Sequence, residues 1–149
     1  MKIICLMAAL AASGWVPVDG SPASLRALDF AIEMMGQHSD ASLVLLNVQN
    51  ISAMDLAGAA MGSDWQAAAS QASDRALKEA VGKAQAAGIA FKSIVRTGQT
   101  AEAIAQAAHD EGVGHIVMGT RGLGSIGLLL GSVAMKVIHL AQVPITLLK

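Results

Sequence analysis

Leu43-Val-Leu-Leu-Asn-Val48 is an apolar run broken only by Asn47, and similar short runs recur along the chain between segments of helical periodicity. Val16-Pro-Val closes on the turn residues Asp19-Gly20-Ser21, while Ile89 to Val95, His115 to Met118 and Pro144 to Leu148 read as further strands. A strand that is apolar at successive positions, rather than at every second one, has to be covered on both faces, as in a parallel sheet. Strands alternating with helices are joined by right-handed crossovers. The predicted fold is therefore α/β, with five parallel strands covered on both faces by four helices.

The helix signals are local. Ser21 precedes Pro22, a capping residue followed by a proline at the first helical position. Leu25, Leu28, Ile32 and Met35 then recur at helical spacing to about Gln37. Asn50 to Ser63 lacks clear periodicity and is read as a loop. Asp64 to Ala87 predicts a long helix with Trp65, Ala69, Ala72, Ala76, Ala80 and Ala84 near one face, stopped by Gly88. Thr100 is read as the cap of a helix ending at Gly112, and the last helix is placed over Val133 to Ala141.

Composition narrows the classes of function. The chain has 149 residues, enough for one domain with a proper core, and only 3% aromatic residues, so that core is built from Ala, Leu, Val, Ile and Met. A net charge of -1 argues against nucleic acid as the main partner. Every acidic residue lies at or before Glu111, whereas Arg121, Lys136 and Lys149 follow it. A cationic tail suits a polyphosphate, although a largely buried tail carries few charges for that reason alone. Cys5 is the sole cysteine, so no internal disulfide forms and a reducing compartment is the default. His38, His109, His115 and His139 show no metal-ligand spacing, and His139, among apolar helix neighbours, is read as structural.

At the N-terminus, Lys2 is followed by the apolar stretch Ile3 to Ala12 and then Ser13-Gly14. This pattern resembles a short secretory leader and is too short to cross a bilayer as a helix. A cleaved leader, a non-native start or insertion, and an extra element packed on the domain all fit it. Joining Met1-Lys-Ile-Ile4 directly to Val16 produces a natural first strand, which favours an insertion or extension over export. Residues 1–14 are therefore set apart from a domain spanning 15–149, with a cytoplasmic location expected, or export if the leader is cleaved. No membrane partner is expected.

The chemistry concentrates near the C-terminus. Gly119-Thr-Arg-Gly122 leaves a strand, and after eight further residues Gly131-Ser132-Val133 opens a helix. Such a loop offers backbone N–H groups to an anion, and glycine admits a phosphate where a Cβ would obstruct it. Gly122, Gly124 and Gly127 match the dinucleotide fingerprint by letter, but no acid follows them to hold a ribose. A Walker sequence is missing as well. Ser21, Ser125 and Ser132 have no recognisable histidine and orienting acid, so no catalytic residue is assigned. Asp19, Val48 and the Gly119 loop all fall at predicted strand carboxyl ends, where ligands bind in open α/β sheets. Turn chemistry and capping account for Gly20 and Ser21, whereas Asp19 is also placed to accept from a ribose or an adenine amine. Met118 is read as core that also contacts a base.

Taken together, Val16-Pro-Val-Asp-Gly-Ser21, Leu45-Leu-Asn-Val48, Met118-Gly-Thr-Arg-Gly-Leu-Gly124, Leu130-Gly-Ser-Val133 and the Val143-Pro144 ending resemble a universal stress protein from about Trp15 to Lys149. The resemblance implies a Rossmann-like three-layer fold, a homodimer formed through the last strand, and a regulatory role with an unknown protein partner. It also implies ATP, with magnesium, as ligand. Pro17, Asp19 and Val48 would line the adenine and ribose pocket, joined by the backbone of Met118 and Gly119. Arg121, Gly122, Gly131, Ser132 and Val133 would hold the phosphates, the last three through N–H groups. At most, weak ATP hydrolysis or autophosphorylation is expected. The family motif has nine residues between its second and third glycines, and this chain has eight. A stress protein that binds no nucleotide and acts through dimerisation and protein contacts is the alternative.

Overall fold

The computed structural model describes residues 13–36, 38–50, 64–121 and 130–149, with Trp65 described by its backbone alone. In chain order these form β1 (Ser13–Pro17), α1 (Pro22–Met35), β2 (Ser42–Gln49), α2 (Trp65–Ala86), β3 (Ala90–Thr97), α3 (Thr100–Asp110), β4 (His115–Gly119), α4 (Ser132–Leu140) and β5 (Ile145–Leu148). The strands make one sheet in the order β3-β2-β1-β4-β5, and every pairing is parallel. This is the α/β architecture expected from the alternating runs.

The central strands show why their sequences are continuously apolar. Val16, Leu43, Leu45 and Val117 pack on one face against Ala27, Leu28, Ala31 and Met35 of α1 and Leu77, Ala80 and Ala84 of α2. Their immediate neighbours Trp15, Val44, Leu46, Ile116 and Met118 pack on the other face against Ala101, Ile104 and Ala107 of α3 and Ala134 and Val137 of α4. Side chains alternate across a strand, so two helical layers demand apolar residues at both parities.

Several local expectations are corrected. β1 begins at Ser13, which pairs with Ser42, so Ser13 and Gly14 lie inside the sheet and the strand starts three residues before Val16. In α2 the buried stripe runs through Ser73, Leu77, Ala80 and Ala84, while Ala69, Ala72 and Ala76 are only half-buried. Alanine is a good helix former on any face, so its spacing alone does not mark the inner one; Leu77 does. Thr100 is the first helical residue of α3 rather than its cap, and Gln99 at the cap position makes no side-chain hydrogen bond. Most of the loop read over Asn50 to Ser63, together with Cys5, lies outside the described residues. Among the described residues, no helix is long and apolar enough to cross a membrane.

His115, not His139, is the enclosed histidine. His139 is exposed on α4, whereas His115 is buried with Nε2 2.8 Å from Thr146 Oγ1 on β5 and Nδ1 without a partner among the described residues. Burial pushes its pKa below the ordinary imidazole value of 6.5. The folded state therefore binds this proton less readily than the unfolded chain does. Stability held above the unfolded pKa is lost as pH falls from there towards the lowered folded value. Urea unfolding midpoints are expected to decline between about pH 7 and pH 5, and His115→Leu should flatten that part of the profile. An equal decline in the variant would assign the effect to other groups.

Candidate functional site

The sheet order puts its reversal between β1 and β4. The chain steps outward one way through β2 and β3, then returns past β1 to build β4 and β5 on the other side. Crossover helices leave opposite faces there, and a crevice opens beyond the strand carboxyl ends. A cavity of about 250 Å³ occupies this position.

Each wall comes from a separate element. At the end of β1, Pro17 and Asp19 line the cavity, and Val48 does so from β2. Met118, Gly119 and Arg121 contribute from the end of β4, and Gly131, Ser132 and Val133 from the start of α4. Gly122 lies outside the described residues, as do Gly124 and Gly127. The remaining sequence-predicted contacts are brought together around one space. Leu46 and Ile104 add to its apolar floor, and Val18, Ser24, Thr100, Thr120 and Ala134 complete the lining. The sequence does not single these residues out as contacts, because an apolar or small residue at a strand end or in a helix reads equally as floor or as core.

The turn after β1 is held by two local hydrogen bonds and one left-handed glycine. Asp19 Oδ1 accepts from the Ser21 N–H at 2.9 Å, Gly20 takes a φ of 81°, and Ser21 Oγ accepts from the Ser24 N–H at 3.2 Å to cap α1. Turn and cap chemistry therefore explain Gly20 and Ser21, and part of Asp19. Behind them, buried Asn47 donates through Nδ2 to the Val18 carbonyl at 2.7 Å, and Gln49 Nε2 donates to Asn47 Oδ1 at 2.6 Å. Asn47 was legible as the lone polar residue in an apolar run.

Gly119 has a different explanation from the one its motif suggests. A Cβ on it would lie 2.8 Å from both the backbone carbon and the Cβ of Ala23. The first turn of α1 sits so close to the end of β4 that only glycine fits, whatever occupies the crevice.

At the other end of the motif, the Gly131 N–H donates to the Thr120 carbonyl at 2.7 Å. Of the three N–H groups assigned to phosphate, that one is already engaged. The first intrahelical bond of α4 runs from the Met135 N–H to the Gly131 carbonyl, and Gly131 provides no side-chain cap. Helix geometry thus leaves the N–H groups of Ser132, Val133 and Ala134 without intrahelical acceptors at the cavity wall. The positive end of the helix dipole adds to them. Arg121 is exposed, and it is the only Lys or Arg between Gly112 and Met135. Lys136 is paired instead with Glu102 at 2.5 Å, and that hydrogen bond holds the Glu102 carboxyl below its usual range. Among the described residues the site is therefore an apolar slot with one acid at its β1 edge and, towards α4, one cation and amides without intrahelical acceptors.

A larger cavity of about 470 Å³ lies at the amino ends of β4 and β5, between Gly112, Val113, Leu140 and Val143. None of the predicted contacts reaches it.

The universal stress protein family model matches residues 15–149. The chain belongs to the universal stress protein family. Universal stress protein YxiE of Bacillus subtilis is 28% identical over 143 residues, covering 90% of this chain and 96% of the relative. A universal stress protein of Thermus aquaticus is 48% identical over 58 residues, which cover 38% of this chain and 42% of that protein. Among solved structures, UspA from Lactobacillus plantarum superposes with a TM-score of 0.77 at 21% identity, covering 93% of this chain and 98% of that one. A universal stress protein in complex with cAMP gives 0.69 at 25% identity, covering 92% and 96%. A family member from Arabidopsis thaliana with AMP bound gives 0.66 at 21% identity, covering 92% and 90%.

Proposed function

We propose that this stress protein binds an adenine nucleotide in the crevice and acts as a dimeric regulatory module. The observation that carries the reading is the convergence of Asp19, Val48, Arg121 and the α4 N-terminus on one cavity at the sheet reversal. The lining fits the ligand. Leu46, Val48, Ile104 and Met118 form an apolar floor for a base, and Asp19 is positioned for a ribose or an adenine amine. Arg121 and the N–H groups of Ser132 and Val133 face where phosphate would lie, with Gly122 added by the motif. That relatives hold AMP and cAMP supports this ligand class.

ATP is the nucleotide that the glycine motif implies. Asp19 is the only carboxylate on the described wall, so accompanying magnesium would be held mainly by the phosphates, as this ion commonly is. Occupancy would act on a partner through α4 and β5. β5 is an edge strand, paired only with β4 among the described residues, and its open edge offers a second copy a place to pair. Exposed Met135 and Ile138 on α4 provide apolar surface for a protein contact. They also favour the second reading, a module that works by protein contact alone.

Isothermal titration of the full chain with ATP and magnesium, AMP and cAMP separates the two. Binding of at least one nucleotide at sub-millimolar concentration is expected, and Arg121→Ala should weaken it about tenfold, the worth of one charged hydrogen bond. Silence from all three ligands favours protein contact alone. Light scattering with and without nucleotide tests the dimer.

A further inference from the structure

Thr120 carries an unexplained hydroxyl. It follows β4 directly, is 6% exposed and lines the cavity between Gly119 and Arg121. Its backbone is fully engaged: the N–H donates to the Leu148 carbonyl at 2.7 Å, and the carbonyl accepts from the Gly131 N–H at 2.7 Å. Those bonds join the end of β4 to the end of β5 and to the start of α4. The Oγ1 atom, however, is sealed from solvent and has no hydrogen-bond partner among the described residues. A buried hydroxyl left unpaired is a net cost to the folded state. Valine has nearly the same shape, suits a strand end and carries no such penalty.

We infer that Thr120 is a ligand-binding residue whose hydroxyl donates to a phosphate oxygen, and that its backbone transmits occupancy to β5 and α4. The inference rests on the nucleotide reading above and adds a contact that the glycine motif does not assign. A threonine χ1 has alternative staggered positions. Rotation about Cα–Cβ is the motion that would bring Oγ1 from the wall to the cavity. The hydroxyl then gains a charged acceptor in place of none. Because Thr120 holds Leu148, a shift of its backbone on binding reaches the open edge of the sheet. Because it also holds Gly131, the same shift reaches the free amides of α4.

The test is Thr120→Val beside Thr120→Ser, with AMP as the titrant and thermal unfolding measured on the same samples. Thr120→Val is expected to bind AMP about tenfold or more weakly, the size of a lost hydrogen bond to a charged group. Its unfolding temperature without ligand should equal or exceed that of the native chain, because an unpaired buried hydroxyl has gone. Thr120→Ser keeps the hydroxyl and should bind within about twofold. That opposite movement of affinity and stability is not produced by a purely structural residue. Thr120→Ala gives the same affinity readout if the valine variant misfolds. Native-like AMP affinity in the valine or alanine variant overturns the inference while leaving the nucleotide reading intact. Failure of the native chain to bind AMP, ATP or cAMP overturns both.

Discussion

Gly119→Ala is expected to destabilise the protein by about 3 kcal/mol, at the upper end of what overpacking a close contact costs. The added Cβ would sit 2.8 Å from the Ala23 backbone carbon, 2.8 Å from its Cβ and 3.0 Å from its carbonyl oxygen. Two of those three atoms are backbone in the first turn of α1, which Ser21 caps and Ser24 ties down through Oγ to the Ser21 carbonyl at 2.9 Å. The helix cannot retreat by a rotamer change. Gly14 supplies the contrast. A Cβ there meets the Met35 sulfur at 2.5 Å, the far end of a flexible side chain, so Gly14→Ala should cost less. Urea unfolding of both variants measures the difference through the midpoint at constant slope. Combining Gly119→Ala with Ala23→Gly should recover only part of the loss, since it removes the Cβ and leaves the backbone. An alanine variant of native stability that merely loses nucleotide affinity would return Gly119 to the ligand.

Gly119 also illustrates where a sequence is ambiguous. A glycine at a strand end reads equally as room for phosphate or as room for a neighbouring helix, and the choice depends on Ala23, which lies 96 positions away in the chain. The strands were more legible. Leu43 to Leu46 buries every residue because helices cover both faces, so continuous hydrophobicity there reports a tertiary fact directly. Likewise Ser21-Pro22 fixed the start of α1, where cap and proline agree. The inner face of α2 was obscured because alanine recurs on all sides of that helix. Gln99 and Thr100 show the same limit at smaller scale: either residue suits a helix start, and the turn at Gly98, with φ 134°, decides between them. Within the crevice, Asp19 could be picked out as an acid closing the first strand, whereas the role of Arg121 came with the family resemblance. Thr120 could not, since its interest lies in what its hydroxyl lacks.

Asn47 is the second position where a large effect is expected. It is 2% exposed, in the middle of the central layer, and its side chain replaces a ladder hydrogen bond. The Val18 N–H still reaches the Leu46 carbonyl at 2.7 Å, but the Val18 carbonyl is met by Asn47 Nδ2 instead of by a backbone donor. That substitution lets β1 turn away at Asp19 without leaving a buried acceptor unpaired. Asn47→Ala removes the donor and leaves a void, so a loss of about 2–3 kcal/mol is expected. Asn47→Asp should be worse near neutral pH, because a carboxylate would face the Val18 carbonyl oxygen. Its sign with pH is diagnostic. Burial beside an acceptor raises the folded-state pKa of the new acid, so the folded state binds its proton more readily than the unfolded chain. The defect should therefore shrink as pH falls towards about 4, where a protonated carboxyl can donate to Val18. Because Asp19 follows Val18 directly, both variants should also weaken nucleotide binding. An Asn47→Asp protein with a pH-independent defect would show that the Val18 carbonyl finds another donor and that Asn47 does not hold the β1 turn.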